Sequence, residues 1–124
     1  GRVDYTYSHG LNREDINTTD QITNSVIEVA KEAKKNHLHL VVGGAVSIDA
    51  VNILKEIKKI HLNRFETRKV IFSSEALEIN NLKKGMLEAI NFELLWLKNK
   101  KNYYGSIFNE DDKRIKMLSD RWKV

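Results

Sequence analysis

Apolar positions along the chain change period several times, and the changes outline strands alternating with helices. In residues 1–10, Val3, Tyr5 and Tyr7 alternate with polar neighbours before Gly10, the pattern of a strand that ends in a turn. A polar stretch at 11–20 follows, where Asn12, Asp15, Asn17, Thr18 and Thr19 supply loop chemistry. Ile22, Val26, Val29, Ala30 and Ala33 then fall on one helical face, and Lys31, Lys34 and Lys35 gather where a helix dipole favours cations. Residues 37–42 read as a short strand. Its second half, Leu40-Val41-Val42, is continuously apolar, as expected of a parallel strand covered on both faces.

Gly43-Gly44 ends that strand, and Ser47 offers an N-cap for a helix buried through Val51, Leu54, Ile57 and Ile60. A third strand is expected within 63–73. A long helix over 75–100, capped by Ser74, would bury Leu82, Met86, Ile90, Leu94 and Leu97. A last short helix from Asn109 would present Ile115, Leu118 and Trp122. The order is strand–helix three times over, the βαβ pattern of a parallel α/β sheet. Three strands alone leave two unpaired edges and an uncovered face, so pairing with further structure, and a dimer or larger homo-oligomer, is expected.

Composition adds bounds. Hydrophobic residues are 41% and charged residues 31% of the 124, within the globular range. No apolar run approaches the ~20 residues of a membrane-spanning helix, and the N-terminus lacks a secretory pattern. Cysteine is absent, which excludes disulfides and thiolate metal sites and makes a cytoplasmic location the expectation. A net charge of +4 and a pI near 9.3 raise the question of nucleic acid. The cations are interleaved with 17 acids, and the cluster Lys98, Lys100 and Lys101 follows an apolar helical stretch, so a solvated helix end accounts for it.

In parallel α/β folds chemistry collects at the carboxyl ends of strands. Three stretches qualify: Asp4 to Gly10, Gly43 to Ser47, and the surroundings of Glu66 to Arg68. The first, Gly1-Arg2-Val3-Asp4-Tyr5-Thr6-Tyr7-Ser8-His9-Gly10, has a glycine three residues before an aspartate and a second glycine six after it. This resembles a signature of the HpcH/HpaI aldolase and citrate lyase β-chain superfamily, and the elements that follow keep that family's order over most of residues 1–90. The resemblance implies an α/β fold: the C-terminal part of a (β/α)8 TIM barrel, strands 6–8 with their helices over 1–100, and an added helical arm over 101–124. It also implies that Asp4, at the end of the sixth strand, is a ligand of Mg2+ or Mn2+. Gly1 and Gly10 match the glycines that shape the turn. A further acidic ligand and a substrate-binding arginine would lie upstream in the missing N-terminal half of the barrel, since a whole barrel needs about 250 residues. No catalytic residue is assigned.

The expected activity is that of a divalent-metal-dependent carbon–carbon lyase or aldolase acting on a carboxylate substrate, a 2-oxo acid or an acyl-CoA, with these residues inactive alone. A hard cation bound by carboxylates stabilises an enolate as a Lewis acid. The alternative is a non-catalytic binding or interaction module with a basic surface. On spacing alone an ordinary strand-end aspartate bound to its own loop accounts for Asp4, and the family's order in the elements that follow turns the preference to the metal ligand. His9 and Gly10 share the Asp4 loop, and Gly43-Gly44 could admit a carboxylate to the backbone or simply form a tight turn. Propensity places the third strand at Val70-Ile71-Phe72. The family alignment instead places it at 63–67, with Val70 to Phe72 entering a short helical turn and Glu66 approaching the barrel mouth; the second placement is preferred. His37 and His39, two apart on a strand, could share a zinc ion but lie at its amino end, and structural roles are expected. Phe92 and Trp96 follow helix spacing as core or oligomer contacts, and Tyr103, Tyr104, Phe108 and Trp122 suggest a packing arm.

Overall fold

In the computed structural model, which describes residues 1–122, helices dominate and a three-stranded sheet lies among them. The elements are α1 (Arg2–Ser8), α2 (Asp20–Lys35), β1 (Val41–Val42), α3 (Val51–Ile60), β2 (Arg64–Glu66), β3 (Ile71–Ser73) and α4 (Leu82–Trp122). Short 3-10 turns at Arg13–Asn17, Ile48–Ala50 and Ser74–Glu78 join them. The chain forms two compact units, Gly1–Ile90 and the part from Asn91 on. The arm expected over 101–124 includes Lys123 and Val124, which lie outside the described residues. No helix among the described residues is long and apolar enough to cross a membrane.

The first element departs from the expectation. Residues 2–8 are a helix, not a strand, because burial follows a helical step rather than alternation. Arg2 and Thr6, four apart, are the buried pair, while Tyr5 and Tyr7 are exposed. The Thr6 hydroxyl donates to the Arg2 carbonyl at 2.7 Å inside that face. The polar stretch after it is not bare loop. Asn12 and Asp15 form a reciprocal capping box around a 3-10 turn, with Asp15 Oδ2 accepting from the Asn12 N–H at 2.8 Å, and the turn buries Ile16 completely.

The α2 helix runs as its periodicity dictates, with Ile22, Ala30 and Ala33 buried, although Val29 is left exposed. It closes at His37, whose φ of +56° lets Leu38 N–H reach back to Ala33 O at 2.9 Å and His37 N–H to Lys34 O at 3.2 Å, a Schellman closure. That left-handed residue keeps His37 and His39 out of any strand, so β1 is only Val41–Val42. Ser47 precedes a 3-10 turn without a side-chain cap bond, and α3 then buries Leu54 and Ile57.

β1 pairs with β2 in parallel, Val41 opposite Arg64 and Val42 opposite Phe65, across a connection that contains α3. That length suits a parallel crossover. β2 and β3 are antiparallel, with Phe65 opposite Phe72. The expected single strand is thus two, and Val70 to Phe72 leads into β3 rather than a helical turn. Thr67 is the reason: its N–H donates to Val70 O at 2.9 Å, and Val70 N–H donates to its hydroxyl at 3.2 Å, which closes a tight hairpin. Phe65 and Phe72 stack face to face, centroids 5.0 Å apart, and Phe65 is fully buried with Leu54, Ile57, Leu77 and Met86.

The C-terminal helix also differs. Ser73, not Ser74, caps a 3-10 turn by accepting from Glu75 N–H, and the helix proper starts at Leu82. It continues without a break to Trp122, so the separate short helix from Asn109 does not form; there is no proline to end it. Of its expected buried face, Met86 is buried, whereas Ile90, Leu94 and Leu97 are exposed.

Candidate functional site

The carboxyl end of β1 runs straight into Gly43-Gly44, and two other segments close on that dipeptide. Gly44 has φ +91°, and a Cβ there would lie 2.9 Å from the backbone nitrogens of Arg2 and Val3. Only glycine permits both the left-handed turn and the approach of the first turn of α1. At Gly43 a Cβ would meet Glu66 Oε1 at 2.6 Å, so the last side chain of β2 lies directly over the end of β1. The Arg2 N–H donates to Gly43 O at 3.2 Å and completes the junction.

The Arg2 side chain is held beneath this junction. Its Nη2 donates to Gly44 O at 2.8 Å and its Nη1 to Asn17 Oδ1 at 3.1 Å, while Nε, also buried, has no partner. Arg2 is 5% exposed, and its acceptors are neutral; no carboxylate pairs with it among the described residues. Burial pushes its pKa below the usual guanidinium value. A guanidinium so buried, with neutral acceptors only, is a cation whose charge no direct partner among the described residues offsets.

Asp4 is exposed in the first turn of α1, its Oδ2 3.6 Å from where a Gly1 Cβ would sit. The structure therefore gathers Gly1, Gly43, Gly44 and Glu66 around the carboxyl ends of the two parallel strands; Asp4, expected at the end of a strand, sits instead on the first turn of α1 against Gly1. The structure does not bring His9 and Gly10 to the strand ends. They close the opposite end of α1, where the His9 ring packs edge-on against Tyr5 at 4.6 Å and its Nδ1 faces Gln21 Nε2 at 3.0 Å. Gly10 has φ +71° with nothing near its Cβ position, the geometry of a turn. His39 Nδ1 instead faces Arg64 Nη2 at 3.5 Å, and no group of three or more potential metal ligands occurs among the described residues.

That ligand count bears on the cation. Mg2+ commonly takes one or two carboxylates and completes its octahedron with water and substrate oxygens. Exposed Asp4 is a donor of the right hardness for one such position, with Glu66 the acid at the strand tips. Each carboxylate is one donor of a hard-cation shell, and no closed protein cage occurs among the described residues.

Arg2 and Asn17 are the members of this site that pattern reading passes over. An arginine in an alternating stretch reads as a solvated side chain, and nothing local announces that it will be buried. A free edge also bounds the site: β1 has β2 on one side only, and an open groove on its other side is lined by Tyr5, Ser25, Val26, Val29, Val41 and Gly43. Comparison of the chain with protein-family models, with curated proteins and with solved structures gave no match.

Proposed function

We propose that these residues form the C-terminal part of a divalent-metal-dependent carbon–carbon lyase or aldolase that acts on a carboxylate substrate. The observation that carries the reading is the meeting of Gly1, Gly43, Gly44 and Glu66 at the carboxyl ends of two parallel strands joined through a helix, with Asp4 beside Gly1 on the first turn of α1. Strand carboxyl ends are where barrel enzymes place their chemistry. The resemblance of Gly1 to Gly10 to the aldolase and citrate lyase signature supplies the reaction class.

In this reading Asp4 holds Mg2+ or Mn2+, which supplies Lewis-acid stabilisation of an enolate when bound. Residues outside these 124 contribute the remaining acidic ligand and the arginine that grips the substrate. The chain's own contribution is positional. Gly43 and Gly44 let the Glu66 side chain and the first turn of α1 pack directly onto the strand tips. The Arg2 guanidinium beneath them ties that turn to the Gly44 carbonyl, and the substrate in this reading is a 2-oxo acid or an acyl-CoA. The lack of cysteine accords with a cytoplasmic setting for such an enzyme.

Isothermal titration of Mg2+ into the chain tests the assignment. Weak saturable binding that Asp4→Asn removes is expected. Tight stoichiometric binding left unchanged by Asp4→Asn, or no binding at all, would overturn it.

A further inference from the structure

From Asn91 on, α4 carries its large apolar side chains in the open. Leu94, Leu97, Tyr104, Phe108, Ile115 and Leu118 are all exposed, Phe108 by 70%. These six fall in one series, although Phe92, Leu95, Trp96, Tyr103, Ile107 and Met117, also exposed, lie outside it. The series 94, 97, 101, 104, 108, 111, 115, 118 advances by three and four residues in strict alternation, and the next step of four lands on Trp122, 91% exposed. A repeat of 3.5 is the seam of a two-helix coiled coil, not the 3.6 of a helix lying on a globular core. Two members of the series are charged, Lys101 and Asp111.

The arrangement of those members decides how the seam is covered. The series is symmetric about Ser106: 94 mirrors 118, 97 mirrors 115, 101 mirrors 111 and 104 mirrors 108. In heptad terms 94, 101, 108 and 115 are a positions, and 97, 104, 111 and 118 are d positions. Two antiparallel helices in this register stack a against d in every layer. Leu94 then meets Leu118, Leu97 meets Ile115, Tyr104 meets Phe108, and the Lys101 ammonium meets the Asp111 carboxylate. In a parallel pair each residue would meet its own copy, which places Lys101 against Lys101 and Asp111 against Asp111 within the seam. Like charges so placed repel, whereas opposite charges set register and orientation.

We propose that α4 pairs with α4 of a second copy of this chain as an antiparallel coiled coil centred on Ser106. The matched stretch, Leu94 to Leu118, is roughly 37 Å long at 1.5 Å per residue. Of the flanking rows one favours the pairing and the other opposes it weakly. Lys98 falls opposite Asp112 of the copy, and Lys100 falls toward Arg114 at the solvated rim, where ion contacts count for little. Lys100 is in any case turned over the rings of Trp96, at 5.1 Å, and Tyr104, at 6.0 Å. Gly105, beside the centre, has nothing within 4 Å of its Cβ position, so the helices can come close where their midpoints cross. The pairing is independent of the lyase reading, since no residue of the strand-tip junction takes part.

Sedimentation of the full chain and disulfide trapping test it together. The wild type should sediment as a dimer, and Leu97→Glu with Ile115→Glu as a folded monomer with an unchanged circular dichroism spectrum. The chain has no cysteine, so single thiols report register. Leu97→Cys alone should not cross-link: its two copies would lie eighteen residues of helix apart, roughly 27 Å, far beyond the ~7 Å Cα separation a disulfide allows. A mixture of Leu97→Cys and Ile115→Cys should give the mixed disulfide. A monomeric wild type, or self-cross-linking of Leu97→Cys, would overturn the proposal.

Discussion

Replacing Gly44 by alanine probes the junction on which the candidate site is built. Two costs act at that residue. The first is conformational: a Cβ at φ +91° is strained, at about 1–2 kcal/mol, of which the lower entropy of the unfolded alanine chain offsets roughly 0.4–1 kcal/mol. The second is steric. The Cβ would lie 2.9 Å from the backbone nitrogens of Arg2 and Val3, and backbone cannot swing aside as a side-chain tip can. The first turn of α1 must lift, which strains the Arg2 Nη2 bond to Gly44 O. A charged hydrogen bond of that kind contributes about 1.5–3 kcal/mol. Together the loss should be about 2–4 kcal/mol, a fall in Tm on the order of 10–20 °C for a unit of this size. Gly10→Ala is the matched control, because Gly10 shares a positive φ of +71° but has nothing within 4 Å, so only the conformational cost applies. Thermal melts of both variants, followed by circular dichroism, separate the two costs. If Gly44→Ala melts no lower than Gly10→Ala, α1 does not rest on the strand tip as described.

Other substitutions test other parts of the fold. Phe65→Ala empties a fully buried position and removes the stack on Phe72, so urea denaturation should show a loss of about 3–5 kcal/mol. Asp15→Ala removes the acceptor for Asn12 N–H and half of the capping box, and should lower stability by about 1 kcal/mol in the same assay. His37→Gly should raise Tm, by about 0.5–1 kcal/mol in stability, since glycine adopts the φ of +56° at the end of α2 without strain; a lower Tm would mean that the His37 ring contributes a contact. Gly43→Ala should cost less than Gly44→Ala in the melt, because the atom in its way is the tip of the Glu66 side chain, which can rotate out.

Amphipathic stripes were the legible part of this chain. Ile22, Ala30 and Ala33 on α2, and Leu54 and Ile57 on α3, are buried where a 3.6 period puts them, and the basic residues fall at the ends of both helices. The apolar pair Val41–Val42 leading into Gly43-Gly44 was equally readable as a strand with a turn behind it. Short elements misled. In 1–10 the apolar residues occupy odd positions, so alternation suggests a strand, yet the buried face consists of an arginine and a threonine that carry no hydrophobic signal. At 63–73 two candidate strands compete for one place until the Thr67 hydroxyl closes a hairpin that admits both. Along α4, periods of 3.5 and 3.6 are indistinguishable over three turns and diverge only over the length of the helix. The closeness of Glu66 to Gly43, and of Arg2 to Gly44, joins residues 23 and 42 positions apart, which local pattern does not encode.

Paramagnetic broadening by Mn2+ in the amide spectrum of the isotope-labelled chain tests the strand-tip assignment most directly, because it locates the cation rather than only detecting it. The amides of Arg2 to Tyr5, Gly43 and Gly44 should broaden first, and Asp4→Asn should abolish the effect there. Broadening confined to other parts of the chain, such as His37 to His39, or a pattern that Asp4→Asn leaves intact, would contradict the account.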